Sequence, residues 1–228
     1  MINPYVIIDG NKYAVVTGSY SRQWIRSFTS YLSSNVVRLN FIDKGPGVRT
    51  YSMQLYLAPW STTSIPGLNG VNTTPELQMA QLEVTYSKVA TTIIFIDPFN
   101  EPPTFKGPIQ SSISAGTTSI PVTANMIRQM NTIAVPCTGY LWPAGTALGT
   151  SIANGTAEII TINIVGVSTL SVTRGSNPQA FNSGDNIAAK IGVYMTDLQQ
   201  VIPAYGTAQS SYIIATVQLT ESTQSVLG

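Results

Sequence analysis

The sequence predicts a mainly β protein: a β-sandwich with one α-helix, into which a second, small all-β barrel or sandwich is inserted. Three observations carry this. Most apolar residues recur with period two, as in strands with one buried side. One segment alone carries helix punctuation. The composition shifts after a proline-rich stretch and shifts back near residue 192. The chain has 228 residues, long enough for a core without staples. It is 43% apolar and only 9% charged, against roughly 25% charged in ordinary domains. Disorder needs the opposite balance. A β-rich protein with surface buried against neighbours fits, because interfaces shed charge at their centre.

The elements follow in order. YVII (residues 5–8) leads through Asp9-Gly10 to Lys12–Val16, a strand, a tight turn and a strand. YSMQLYL (51–57) alternates, with Met53, Leu55 and Leu57 on one face. Residues 73–89 are the exception. Thr74 is placed to cap a helix, Pro75 sits at its first position and Glu76 in its first turn. The spacing predicts a helix over about 75–88 with Leu77, Ala80 and Val84 on one face. TTIIFID reads as a strand ending at Asp97-Pro98. Four prolines between 98 and 108 mark a boundary. Between 109 and 190 the charged residues are only Arg128, Glu158, Arg174, Asp185 and Lys190. Here ANMIRQM (124–130) reads as a short helical turn, and 158–165 and 169–173 as two strands. SYIIATVQL (211–219) is a last strand with Ile213, Ala215, Val217 and Leu219 on one face. The economical arrangement is a host domain of 1–104 and 192–228 holding an inserted module at 105–191.

Several function classes lose ground. There is no His, which removes the commonest general base and most zinc sites. The ten carboxylates are scattered, with only Asp97 and Glu101 closely spaced. Lys106-Gly107 lacks the spacing of a phosphate loop. No catalytic, cofactor-binding or metal-binding residue is assigned, and the chain reads as a non-enzyme without cofactors. The lone Cys137 reads as a small core residue of a protein made in a reducing cytosol. The N-terminus lacks a basic region before its apolar run, and no run approaches a membrane span. A net charge of +1 argues for neither specific nucleic acid nor membrane as partner.

Two clusters remain. Residues 20–49 interleave Arg22, Arg26, Arg38, Lys44 and Arg49 with Tyr20, Trp24, Phe28, Tyr31 and Phe41. Such residues anchor protein interfaces and also bind nucleic acid. We assign Arg22, Trp24, Arg26, Phe28, Arg38 and Arg49 to a subunit interface on a long hairpin. The competing readings are nucleic acid and an amphipathic hairpin on its own core. In CTGYLWPAG, Tyr140 and Trp142 either contact a ligand such as a glycan or fill the module's core.

Two stretches carry a resemblance. YVIIDGNKYAVV, the span from Arg22 to Leu57, the helix at Pro75 and IIFIDPFN resemble, in order, the N-terminal domain of siphophage distal tail proteins. Those share a β-sandwich with one helix with tail tube proteins. SSISAGTTSIPVT, GTAEIITINIVGVSTLSVTRG and NPQAFNSGDNI resemble a β module of phage tail and baseplate proteins. Ala180-Phe181-Asn182 stands where that family often has a His, so any role of that His is absent. The resemblance implies a structural virion protein made in the host cytoplasm. It would form a ring near the tail tip, a hexamer by that likeness. Its partners would be itself, tail tube and tail tip proteins, and a host surface glycan if the module binds one. Other tail tube or minor tail proteins, or a receptor-binding tail protein, are the alternatives. Within the module, Thr173-Arg174-Gly175 ends a strand. Gly175 is expected at positive φ, and Arg174 is expected to clamp loop carbonyls or Asp185.

Overall fold

The computed structural model describes residues 5–25, 28–32, 39–43, 48–58, 74–88, 92–201 and 212–222, with the backbone alone at 25, 28–32, 39–43 and 201. The chain is mainly β, with two larger antiparallel sheets and three helices among the described residues. Strands β1 (Tyr5–Ile8), β2 (Asn11–Val15), β3 (Ser21–Ile25), β4 (Phe28–Leu32), β5 (Leu39–Asp43) and β6 (Val48–Leu57) come first. Helix α1 (Pro75–Tyr86) precedes β7 (Phe95–Ile96), β8 (Thr104–Pro108) and β9 (Ser119–Pro121). Then come α2 (Ala124–Met130), β10 (Cys137–Trp142), α3 (Leu148–Ala153), β11 (Glu158–Val165) and β12 (Thr169–Thr173). Strands β13 (Asn186–Lys190), β14 (Val193–Val201) and β15 (Ile213–Glu221) complete the order.

Two compact units result. One comprises Met1–Asn11 and Ile94–Gly192, the other Lys12–Ile93 and Val193–Ser222. The segment 105–191 lies whole inside the first unit. Residues 1–11 and 94–104, assigned to the host from sequence, fall in that unit as well.

In the second unit β15 lies between β14 and β6, antiparallel to both. The other edge of β6 is shared by β2 and β3. Alternation sets the core: Met53, Leu55 and Leu57 face Val217, Ala215 and Ile213 in register, and all are buried. Helix α1 packs over β14, β15 and β6. Thr74 caps it, accepting from the Leu77 amide at 3.2 Å, and Pro75 opens it. The buried stripe is a correction, however. Gln78, Met79, Leu82 and Thr85 face the sheet, while Leu77, Ala80 and Val84 face outward. Gln78 settles the matter, since its side-chain amide reaches the Ala58 carbonyl at 2.9 Å and is wholly buried there. Strands β4 and β5 pair with each other from Phe28↔Asp43 to Leu32↔Leu39 as a separate two-stranded sheet.

In the first unit β1 pairs with β7, and a hairpin turn in which Asp9 and Gly10 both have positive φ leads from β1 to β2. The six remaining strands run β8–β13–β10–β11–β12–β9. Beyond β8, Ile109 bridges Val122, just past β9, and the Gln110 amide donates to the Pro121 carbonyl at 2.9 Å. The two edge strands thus meet, and the sheet closes into a small barrel with no long free edge. Its interior holds Leu141, Ile160, Ile162, Leu170, Val172 and Ile187, joined by Met126 and Met130 of α2. Helix α3 has no counterpart in the sequence reading; its N-cap is Ala147, with no side-chain cap bond to announce it.

Candidate interaction site

Strand β6 keeps its inward phase at the Arg49 end, so Arg49 and Tyr51 turn to the same face as Met53 and are 8% and 2% exposed. Strand β15 brings Glu221, 3% exposed, to the same place. Arg49 pairs with Glu221 through Nε and Oε1, and its backbone amide donates to Oε2 at 3.1 Å. The Tyr51 hydroxyl donates to Oε1 at 2.8 Å. Burial, and then the Glu221 charge, push the Tyr51 phenol far above its usual range, so it stays a donor. Burial also pushes Glu221 upward, against the Arg49 charge and the bonds from Tyr51 and the Arg49 amide.

Directly opposite Arg49 in the β3–β6 ladder stands Trp24. Its ring lies 4.7 Å from the Arg49 guanidinium carbon, yet the side chain is 57% exposed. The cation–π contact sets a mostly exposed aromatic ring against an ion-paired arginine. Arg22, two residues earlier and on the same face, is exposed as well. Of the expected interface set, Trp24 and Arg22 are therefore surface groups. Arg49 is corrected to a buried support, because a charge at this inward position needs Glu221. Arg26, Arg38 and the Phe28 side chain lie outside the described residues.

The first unit holds a second polar cluster, this one internal. Glu158 occupies the inward phase of β11, in line with Ile160 and Ile162. Arg174 meets it with a bidentate fork, Nε to Oε1 at 2.8 Å and Nη2 to Oε2 at 2.7 Å. The Gly175 and Gln179 amides donate to the same carboxylate at 3.0 and 2.9 Å. Arg174 also reaches the carbonyls of Ser114, Thr117 and Gln179. The carbonyl clamp expected of Arg174 is present, and Glu158 rather than Asp185 is its acid. Asp185 instead accepts from the Ala144 and Asn182 amides at 2.8 and 2.7 Å. Gly175 is also corrected. It is not among the residues of positive φ; a Cβ there would stand 2.6 Å from the Ile159 carbonyl oxygen, so close packing requires glycine.

Burial pushes Glu158 upward, but the Arg174 bond, the two amides and the Arg174 charge outweigh it and hold the carboxyl below its usual value. The stabilisation is therefore complete above pH 4.5, the ordinary glutamate value, and is lost as pH falls through the lower folded value. Acid titration of the full chain should weaken the first unit in that window, and Glu158→Gln should flatten the dependence. Equal acid sensitivity of the two proteins, followed by denaturant melts, would remove Glu158 as its source.

Tyr140 and Trp142 are 7% and 2% exposed, so the ligand-platform reading is replaced by the core reading. They point outward from the barrel wall, but α3 covers them with Leu148 and Ile152. Trp142 Nε1 donates to the Thr146 carbonyl at 3.1 Å. Gly149 lets α3 approach, since a Cβ there would collide with the Phe99 carbonyl. Asp97 takes the Phe99 and Glu101 amides, each at 2.9 Å, and so organises a turn rather than pairing with Glu101. Among the described residues no three His, Cys, Asp or Glu side chains gather, and no helix is long and apolar enough to cross a membrane.

No protein-family model and no curated protein matches the chain. The signals that sequence reasoning missed were charges in the inward phase of strands. Arg49, Glu158 and Glu221 each share a face with core residues of their own strand.

Proposed function

We propose that this protein is a structural component of a bacteriophage tail, assembling as a ring near the tail tip in the manner of a distal tail protein. The carrying observation is Trp24, exposed yet fixed on the Arg49–Glu221 pair, beside exposed Arg22. A preordered aromatic next to an arginine is the anchor chemistry of protein interfaces. The first unit supports the same reading. Of its charged residues between 109 and 190, Glu158, Arg174 and Asp185 are taken up internally and Lys190 is half-buried, leaving Arg128 exposed. A surface so poor in charge suits contact with neighbouring proteins. The likeness to siphophage tail proteins, in element order and in the three module phrases, supplies the tail assignment. The partners are then further copies of this chain with tail tube and tail tip proteins, and the location is the virion.

Sedimentation and negative-stain electron microscopy of the purified chain test this. The expected result is a ring. Trp24→Ala with Arg26→Ala should leave a folded protomer that no longer assembles, and assembly of the parent should persist at high salt. A chain that stays monomeric, or rings from the double variant, would overturn the interface reading. Oligonucleotide binding that falls steeply with salt would favour nucleic acid instead.

A further inference from the structure

Helix α1 carries two apolar stripes. One, Met79 and Leu82 with Gln78 and Thr85, is buried on the sheet. The other, Leu77, Ala80 and Val84, has helical spacing as well but lies open, with Leu77 45% and Val84 63% exposed. Glu76 and Glu83 flank this outer stripe and are exposed with it, and the last helical turn has no basic residue. A contiguous exposed apolar stripe of this kind is a feature of interaction surfaces.

Its chemistry calls for a partner with an apolar plate beside a positive charge. Such a surface exists on the same unit of the chain: the Trp24 indole with Arg22, both exposed on one face of β3. We infer that α1 of one copy receives Trp24 and Arg22 of the next. Trp24 lies over Leu77, Ala80 and Val84, and Arg22 meets Glu76 or Glu83. Giving and receiving surfaces differ, so the contact is heterologous, and repeated contacts of that kind close into a ring when the rotation permits. This rests on the ring reading above and names the surface that ring would use. Nucleic acid, the other match for Arg22 and Trp24, does not suit the acidic helix face.

The full-length chain is used throughout. Val84→Lys and Arg22→Glu both alter exposed side chains, so circular dichroism and thermal melting should match the parent. Sedimentation should show each raising the concentration for half-assembly about ten-fold or more, the scale of losing an interface anchor. Glu76→Arg with Glu83→Arg should do the same alone and should restore assembly when combined with Arg22→Glu. A parent that assembles while Val84→Lys assembles at the same concentration overturns this inference and leaves the ring reading intact. Failure of the charge exchange to rescue likewise removes the pairing of Arg22 with α1. A parent that remains monomeric overturns the ring reading itself. An oligonucleotide bound by the parent and lost in Arg22→Glu, with assembly unchanged, assigns the patch to nucleic acid and overturns the inference.

Discussion

Arg174→Ala should cost the first unit about 3–5 kcal/mol, the range for breaking a buried ion pair by removing one partner. The Glu158 side chain is 2% exposed and cannot regain water. Its carboxylate would keep only the Gly175 and Gln179 amides. The carbonyls of Ser114, Thr117 and Gln179 would lose their common donor, leaving the Ile113–Phe181 bridge to tie the 111–118 loop to the segment after β12. Replacing both partners separates these effects. Arg174→Met with Glu158→Leu removes the stranded charge, so the double variant should lose far less than the two single changes summed. Denaturant unfolding of the full chain measures each. A change in Arg174→Ala within about 0.5 kcal/mol, the scale of ordinary surface substitutions, would show that the fork is not structural.

Trp142→Ala should cost about 3–5 kcal/mol, as for large buried aromatics elsewhere. The indole is 2% exposed, packs with Tyr140, Leu148 and Ala188, and donates to the Thr146 carbonyl. Removing it would leave α3 resting on a void, so α3 should detach first. Hydrogen exchange at the Ser151 and Asn154 amides, which bond the Ala147 and Thr150 carbonyls, would report this. Trp24→Ala supplies the contrast. Its ring is mostly in solvent, so the monomer should lose little while assembly is lost. A stable Trp142→Ala protein that had lost affinity for a glycan would reinstate the ligand reading.

Period two made the strands legible. Met53, Leu55 and Leu57, and Ile213, Ala215, Val217 and Leu219, are buried in the phase the alternation indicates. Thr74 and Pro75 marked the start of α1 because capping is a local event. The face of α1 was misread because both of its sides carry apolar residues at helical spacing; choosing between them takes the position of Ala58, which hydrogen-bonds Gln78. Helix α3 was missed for want of a capping side chain.

The sequence by itself determined the mainly β class, the strand phases, the Thr74-capped helix and the charge-poor stretch from 109 to 190. These depend on neighbours along the chain. Only the tertiary structure decided that Glu158 meets Arg174, that Glu221 meets Arg49, that Trp142 lies under α3 and that Trp24 does not lie under anything comparable. Alternation says which side of a strand a residue takes, but not what stands across from it. Glu221 lies 172 positions from Arg49, and the strand order that joins them is fixed by burial of the sheet as a whole.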